Sequence, residues 1–179
     1  MKTTASFYNK PHFPELMIDV ETLSTRHDAA IISIAAVFFN INTKQIARPY
    51  FYEEIDHISL NAFHQDPKTL AWWAKQEKPI PNGSCTIDSA LRNLIAYMKN
   101  QPPYRIWAKS PSFDCNIIKY ACGHFDLEWP IPFWSERDVR TIQDIAQLPN
   151  SFTATHNAVE DCLSQIRTVM DAYNSILLK

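Results

Sequence analysis

Within "FPELMIDVETLS", residues 13–24, two carboxylates stand one residue apart in an otherwise apolar run. Leu16, Met17, Ile18 and Val20 read as a buried strand. Strand side chains alternate faces, so Asp19 and Glu21 point the same way. Two like charges in a partly dry place repel each other and cost desolvation energy. A bound cation makes such a pair tolerable. Acids that simply reach water at a strand end are the plain alternative, and a D-x-E triplet alone does not choose between them.

Three further positions bear on that choice. In "WAKSPSFDCNII", Asp114 lies in the first turn of a helix that follows a buried strand, a joint where ligand-binding residues of open α/β sheets gather. An acid there also stabilises a helix dipole by ~0.3–1 kcal/mol with no other role. "THNAVEDCL" places His156 just before the last helix and Asp161 near its start. At about 100° per residue, Asp161 falls roughly 200° from Val159. Periodicity therefore sets it off the apolar stripe and predicts a solvated side chain. His156 by itself reads as a surface or capping histidine.

The elements that must carry these residues are legible in outline. A first strand covers about Leu16 to Thr22. A second, "AAIISIAAVFFN", follows closely enough to form a hairpin, and "QIARPYFYEEI" extends the meander, with Pro49 favouring an edge or a bulge. Helical signals then take over. "DPKTLAWWAKQ" has Asp66 as N-cap and Pro67 at the first position, and "TIDSALRNLIAYMKN" repeats apolar residues at helical spacing. "YRIWAKS" is a short buried strand, "SPSFDCNIIKYAC" a helix capped by Ser110, and "RDVRTIQDIAQL" another helix after the proline-pinned "WPIPFW". The last helix starts near Ala158, with Val159, Leu163, Ile166, Met170, Tyr173 and Leu177 on one stripe. Three meander strands followed by alternating helices and strands predict an α/β domain with a mixed central sheet flanked by helices.

Composition narrows the function classes. A chain of 179 residues suits one domain, expected over residues 14–179 behind a loose arm at 1–13. Gly83 and Gly123 are the only glycines, which excludes a phosphate loop and a dinucleotide-binding fingerprint. A net charge of -2 speaks against gripping long duplex DNA, so nucleic acid would be held locally at an end. Arg105, Lys109, Arg137 and Arg140 could form such a patch, although solvated surface charge is the ordinary reading of each. Cys85, Cys115, Cys122 and Cys162 contain no C-x-x-C pair and read as reduced, half-buried thiols. The opening "MKTTASFYNKPHFP" lacks a secretory apolar core, and "AAIISIAAVFF" is too short for a bilayer. No membrane role and a cytoplasmic location are the resulting expectations.

In that order, "IDVET", "SPSFDCNII" and "HNAVEDC" resemble the three motifs of the DEDDh exonucleases, the DnaQ-like branch of the ribonuclease H-like superfamily. The likeness runs over roughly residues 15–172. "DPKTLAWWAKQ" adds a narrower similarity, to the group holding the phage DexA-type exonucleases and the mycobacterial adenylate-specific exoribonuclease.

The resemblance implies a ribonuclease H-like fold and a metal-dependent 3′-5′ exonuclease that releases nucleoside 5′-monophosphates from single-stranded RNA or DNA ends, RNA somewhat favoured. It implies two Mg2+ or Mn2+ ions held by Asp19, Glu21, Asp114 and Asp161, with Asp19 touching both. It makes His156 the general base. Thr22 and Leu23 match positions that meet the terminal nucleotide. Of Trp72 and Trp73, which cannot face one direction on a helix, Trp73 is assigned to substrate. A homodimer is a further expectation. A catalytically silent nucleic-acid-binding module, a scaffold protein and an endonuclease are the competing readings.

Overall fold

Alternation along strand β1, Glu15–Thr22, divides the interior into two cores. Leu16, Ile18 and Val20 face one of them, together with buried residues of helices α2 (Ile87–Asn100) and α3 (Pro111–His124). Met17 faces the other, with Ile166, Val169 and Met170 of helix α5 (Ala158–Leu177). Asp19 and Glu21 share the Met17 face by the period of two. The sheet therefore turns both acids toward α5. These coordinates are a computed structural model that describes residues 12–101, 103, 105–149 and 154–178. Apart from His12 and Phe13, the arm expected at 1–13 lies outside the described residues.

β1 is central. It pairs antiparallel with β2 (Ile31–Asn40), with Asp19 opposite Ala35 and Glu21 opposite Ser33. On its other side it runs parallel to β5 (Arg105–Ala108), which in turn pairs in parallel with β6 (Glu136–Asp138). β3 (Gln45–Ile46) and β4 (Phe51–Glu54) both lie antiparallel to β2, giving a mixed six-stranded sheet. The mixed sheet flanked by helices expected from the sequence is present. The single third strand expected over residues 45–55 is instead broken into β3 and β4. Pro49 sits in the gap, where it has no N–H to give to a ladder.

Two fastenings hold the ends of β1. At its start Glu15 is fully buried and accepts from Arg105 Nε at 2.8 Å and Trp107 Nε1 at 2.7 Å. Because the charge is paired and hydrogen-bonded, its burial is tolerable. At the far end, helix α1 (Pro67–Trp73) is tied down twice: Asp66 N–H donates to the Leu23 carbonyl at 2.8 Å, and the Trp73 indole N–H donates to the Thr22 carbonyl at 2.9 Å. Asp66 caps α1 by accepting from Lys68 N–H at 2.9 Å, with Pro67 next, as its sequence predicts. Ser110 does stand at the cap position of α3, but its side chain makes no capping bond. Its own N–H donates to Asp138 at 3.2 Å, tying α3 to β6.

Helix α4 (Val139–Ala146) packs against α5. All four cysteines are free thiols; Cys115, Cys122 and Cys162 are fully buried rather than half-buried, because each falls on the face its helix turns into a core. No helix among the described residues is long and apolar enough to cross a membrane.

Candidate functional site

The end of β1 and the first turn of α5 meet over one small volume. One oxygen each from Asp19, Glu21 and Asp161 lie within 4.8 Å of one another. Asp161 is 4% exposed, which corrects the solvated position expected from periodicity. The face that α5 buries runs through Ala158, Asp161, Cys162, Gln165, Ile166 and Val169. It is rotated from the apolar stripe toward two polar residues that hydropathy reads as surface. Thr155 fixes Asp161 from outside the helix, donating its N–H and its hydroxyl to Oδ1, both at 2.9 Å.

Gln165 escaped the sequence reading. It is buried one turn beyond Asp161, and its Nε2 donates to Asp19 Oδ1 at 2.8 Å. Its spacing of four from Asp161 was the available signal, since i and i+4 share a helix face. Asp114, also buried, accepts the Val20 N–H at 3.2 Å and so reaches the strand between the other two acids. It stands beside the three-oxygen cluster, not within it.

Burial and nearby negative charge leave Asp19, Glu21 and Asp114 reluctant to ionise. Desolvation, with the Asp161 charge adding to it, pushes Asp19 up to about 7 despite the opposing hydrogen bond from Gln165. Desolvation, then Asp19 and Asp161, push Glu21 up to about 8. Asp114 is raised as well, first by burial and then by Asp19. The charge problem inferred from Asp19 and Glu21 is thus real in the fold and larger than two residues. Converging carboxylate oxygens with no soft ligand among them fit a hard divalent cation such as Mg2+ or Mn2+.

His156 borders the cluster. Its backbone is left-handed, φ 53°, a conformation uncommon for a side-chain-bearing residue, although His tolerates it better than most. Nδ1 lies 4.0 Å from Glu21 Oε2, and the ring meets Trp72 edge-to-face with centroids 4.6 Å apart. The two tryptophans divide their work. Trp73 is 2% exposed and holds the Thr22 carbonyl, whereas Trp72 is 40% exposed. Trp72 offers the broader free indole surface, while Trp73, to which substrate was assigned, lines the same cavity with little of its ring exposed. Adjacent helix positions point apart, and composition could not say which pointed inward.

A cavity of about 470 Å3 opens beneath Trp72, walled by Thr22, Ser24, Lys68, Phe113 and His156. Leu23 is buried in the core behind it, and the Thr22 hydroxyl donates to the Ser24 carbonyl at 2.7 Å. A second cavity of about 410 Å3 holds the four acids and shares Glu21, Phe113 and His156 with the first. The four basic residues considered together in the sequence separate here. Arg105 pairs with Glu15, and Arg137 donates to the carbonyls of Trp134 and Glu136, whereas Lys109 and Arg140 line the acid cavity.

Residues 14–173 match the 3′-5′ exoribonuclease Rv2179c-like domain. An exodeoxyribonuclease of Enterobacteria phage T4 is 24% identical over 198 residues, covering 85% of this chain and 86% of the phage protein. Among solved structures, the nuclease domain of 3′hExo, a DEDDh family member bound to rAMP, superposes with a TM-score of 0.63 at 13% identity, covering 95% of this chain and 94% of that one. The cell-death related nuclease 4 (CRN-4) gives 0.62 at 14% identity; this chain is covered to 92% and spans 64% of that protein's length. S. pombe Pop2p in its Mg2+- and Mn2+-bound form gives 0.56 at 12% identity, with 89% and 82% covered.

Proposed function

Since this chain belongs to the Rv2179c-like 3′-5′ exoribonuclease domain family and is a 3′-5′ exonuclease, we propose that it works with two divalent ions, on single-stranded 3′ ends, with RNA ahead of DNA. The observation that carries the metal reading is the convergence of Asp19, Glu21 and Asp161 oxygens within 4.8 Å, with Asp114 alongside. Asp19, at the middle of the group, would touch both ions, with Glu21, Asp161 and Asp114 completing their ligands. When bound, such ions supply positive charge to the attacking and leaving oxygens of an in-line phosphoryl displacement.

The chain's own groups do the rest. The cavity beneath Trp72 takes the terminal nucleoside; its volume of about 470 Å3 falls within the ~300–1,000 Å3 range of small-ligand sites. His156 accepts the proton of the attacking water, a role imidazole fills near neutral pH. The water oxygen bonds to phosphorus, the bond from phosphorus to the upstream 3′-oxygen breaks, and that oxygen takes a proton from solvent water to become the new 3′-hydroxyl. A nucleoside 5′-monophosphate is the product. Gln165 and Thr155 hold Asp19 and Asp161 in place through this exchange. An end site needs few phosphate contacts, which suits a net charge of -2. The family description favours RNA and the phage relative DNA. A homodimer, expected from the resemblance, would register as twice the 20.7 kDa chain mass in light scattering.

The test is digestion of 5′-labelled single-stranded RNA and DNA with Mg2+, Mn2+ or chelator. A metal-dependent ladder shortening from the 3′ end, faster on RNA, is the expected result. Internal cuts, or intact oligomers under every condition with folded protein, would overturn it in favour of an endonuclease or a silent binding module.

A further inference from the structure

Lys109 and Arg140 present the sign opposite to the acids on the wall of the acid cavity. Both also line a smaller notch of about 140 Å3, with Gln143, Asp144 and Leu148, that extends from this wall. The three cavities thus form a row: the first shares Glu21, Phe113 and His156 with the acid cavity, and the acid cavity shares Lys109 and Arg140 with the notch. One end of the row is aromatic and the other is basic.

The basic end is built. Arg140 Nη1 donates to the Lys109 carbonyl at 2.9 Å, and its backbone N–H donates to Asp138 Oδ1 at 3.0 Å. Asp138 also takes the Ser110 N–H, so the pair is clamped where β5 and β6 end. A guanidinium carries five N–H donors in a fork that matches phosphate. Lys109 and Arg140 bring two cations to the wall where the acid cavity meets the notch, with Asp144 the one acid among the notch's described residues.

We propose that Lys109 and Arg140 bind the phosphodiester immediately upstream of the scissile bond. The single strand enters over the notch, passes its scissile phosphate across Asp19, Glu21 and Asp161, and ends with its 3′-nucleoside beneath Trp72. This assignment rests on the exonuclease reading above and gives it a direction. The enzyme grips two consecutive phosphates, one through the metal site and one through this pair, independent of base identity.

A double cycle tests it. A 5′-labelled trinucleotide is compared with one carrying an uncharged methylphosphonate at the upstream linkage, each with the parent and with Arg140→Gln. The parent is expected to lose roughly tenfold in KM on the methylphosphonate, the usual scale of one charge-assisted hydrogen bond. Arg140→Gln should lose about as much on the natural substrate and nothing further on the methylphosphonate. Its dependence of log KM on log salt should also be shallower by about 0.7, the share of one single-strand phosphate. Arg140→Lys should recover part of the loss. Additive losses, or no loss from either change, would overturn the assignment. If the parent shortens neither trinucleotide, the exonuclease reading fails on its own, and fluorescence anisotropy of the same four pairs with Ca2+ still decides the phosphate contact.

Discussion

Removing the metal should make the protein less stable as pH rises through neutrality, opposite to the trend of a protein whose carboxylates are favourably paired. Asp19 holds its proton up to about 7 in the fold, against 3.8 in a free chain, and Glu21 up to about 8 against 4.5. Burial is the main cause of both. Between those limits the folded chain binds more protons than the unfolded one, so stability falls with pH by linkage. The contribution of each group is fully present below pH ~4 and is lost as pH passes its folded value. For Asp19 the gap from 3.8 to about 7 corresponds to ~4 kcal/mol at ~1.4 kcal/mol per pH unit. Glu21 adds less than its own gap suggests, because the repulsion between the two carboxylates counts once for the pair. For a domain of this size ~4 kcal/mol is a fall of about 8–16 °C in melting temperature. Thermal melts in chelator at about pH 5.5, 7 and 8.5 capture the upper half of that fall, ~2 kcal/mol from Asp19 or about 4–8 °C, and Mn2+ should flatten the slope, because a cation stabilises the ionised acids. Asp19→Asn should melt with a shallower slope in chelator and recover less with Mn2+. A parent slope that is flat, rises with pH, or equals that of Asp19→Asn would refute this reasoning.

Other consequences follow from single contacts. His156→Ala should lower kcat by ~10²–10⁴ while retaining the melting-temperature gain with Mn2+, since it removes a base and no ligand oxygen; a lost Mn2+ response in thermal melts would contradict that. Gln165→Leu deletes the 2.8 Å bond to Asp19, and metal affinity measured by calorimetry should weaken by about 10–100-fold. Trp73→Phe should cost about 1 kcal/mol in denaturant unfolding through its bond to Thr22, whereas Trp72→Ala should spare stability and impair turnover by releasing the His156 ring. Glu15→Ala leaves Trp107 Nε1 without its acceptor and breaks the buried pair with Arg105; a loss of ~3–5 kcal/mol in the same unfolding assay is expected.

The residues differ in how much of their placement could be read from the chain. Asp19 and Glu21 were legible because β1 obeys a strict period of two in an apolar run, and nothing else in the fold changes which way they point. Asp161 was not. Its helix buries Asp161 and Gln165 on the sheet side, so the hydrophobic stripe misstates the buried face by about one residue, and only the contact with β1 reveals it. The order of motifs carried what periodicity could not. α1 was readable at its start, where Asp66 and Pro67 act locally, and unreadable at Trp72 and Trp73, whose division depends on the Thr22 carbonyl and His156 across space. Likewise, the break between β3 and β4 was signalled by Pro49, but its position on the sheet edge came from pairing with β2. The four basic residues looked alike in sequence. Their neighbours separate them, since Glu15 takes Arg105 while the ends of β5 and β6 set Lys109 and Arg140 over the acids.

Catalysis as proposed depends on Asp19, Glu21, Asp114 and Asp161 holding two ions. Calorimetric titration of Mn2+ into the chelator-treated protein, repeated in buffers of different ionisation enthalpy, tests it most directly. Two ions per chain should bind, with release of protons at neutral pH, because Asp19 and Glu21 hold theirs up to about 7 and 8. Asp19→Asn should lose saturable binding of at least one ion. Absence of saturable binding by the folded parent, or an unchanged stoichiometry in Asp19→Asn, would contradict it.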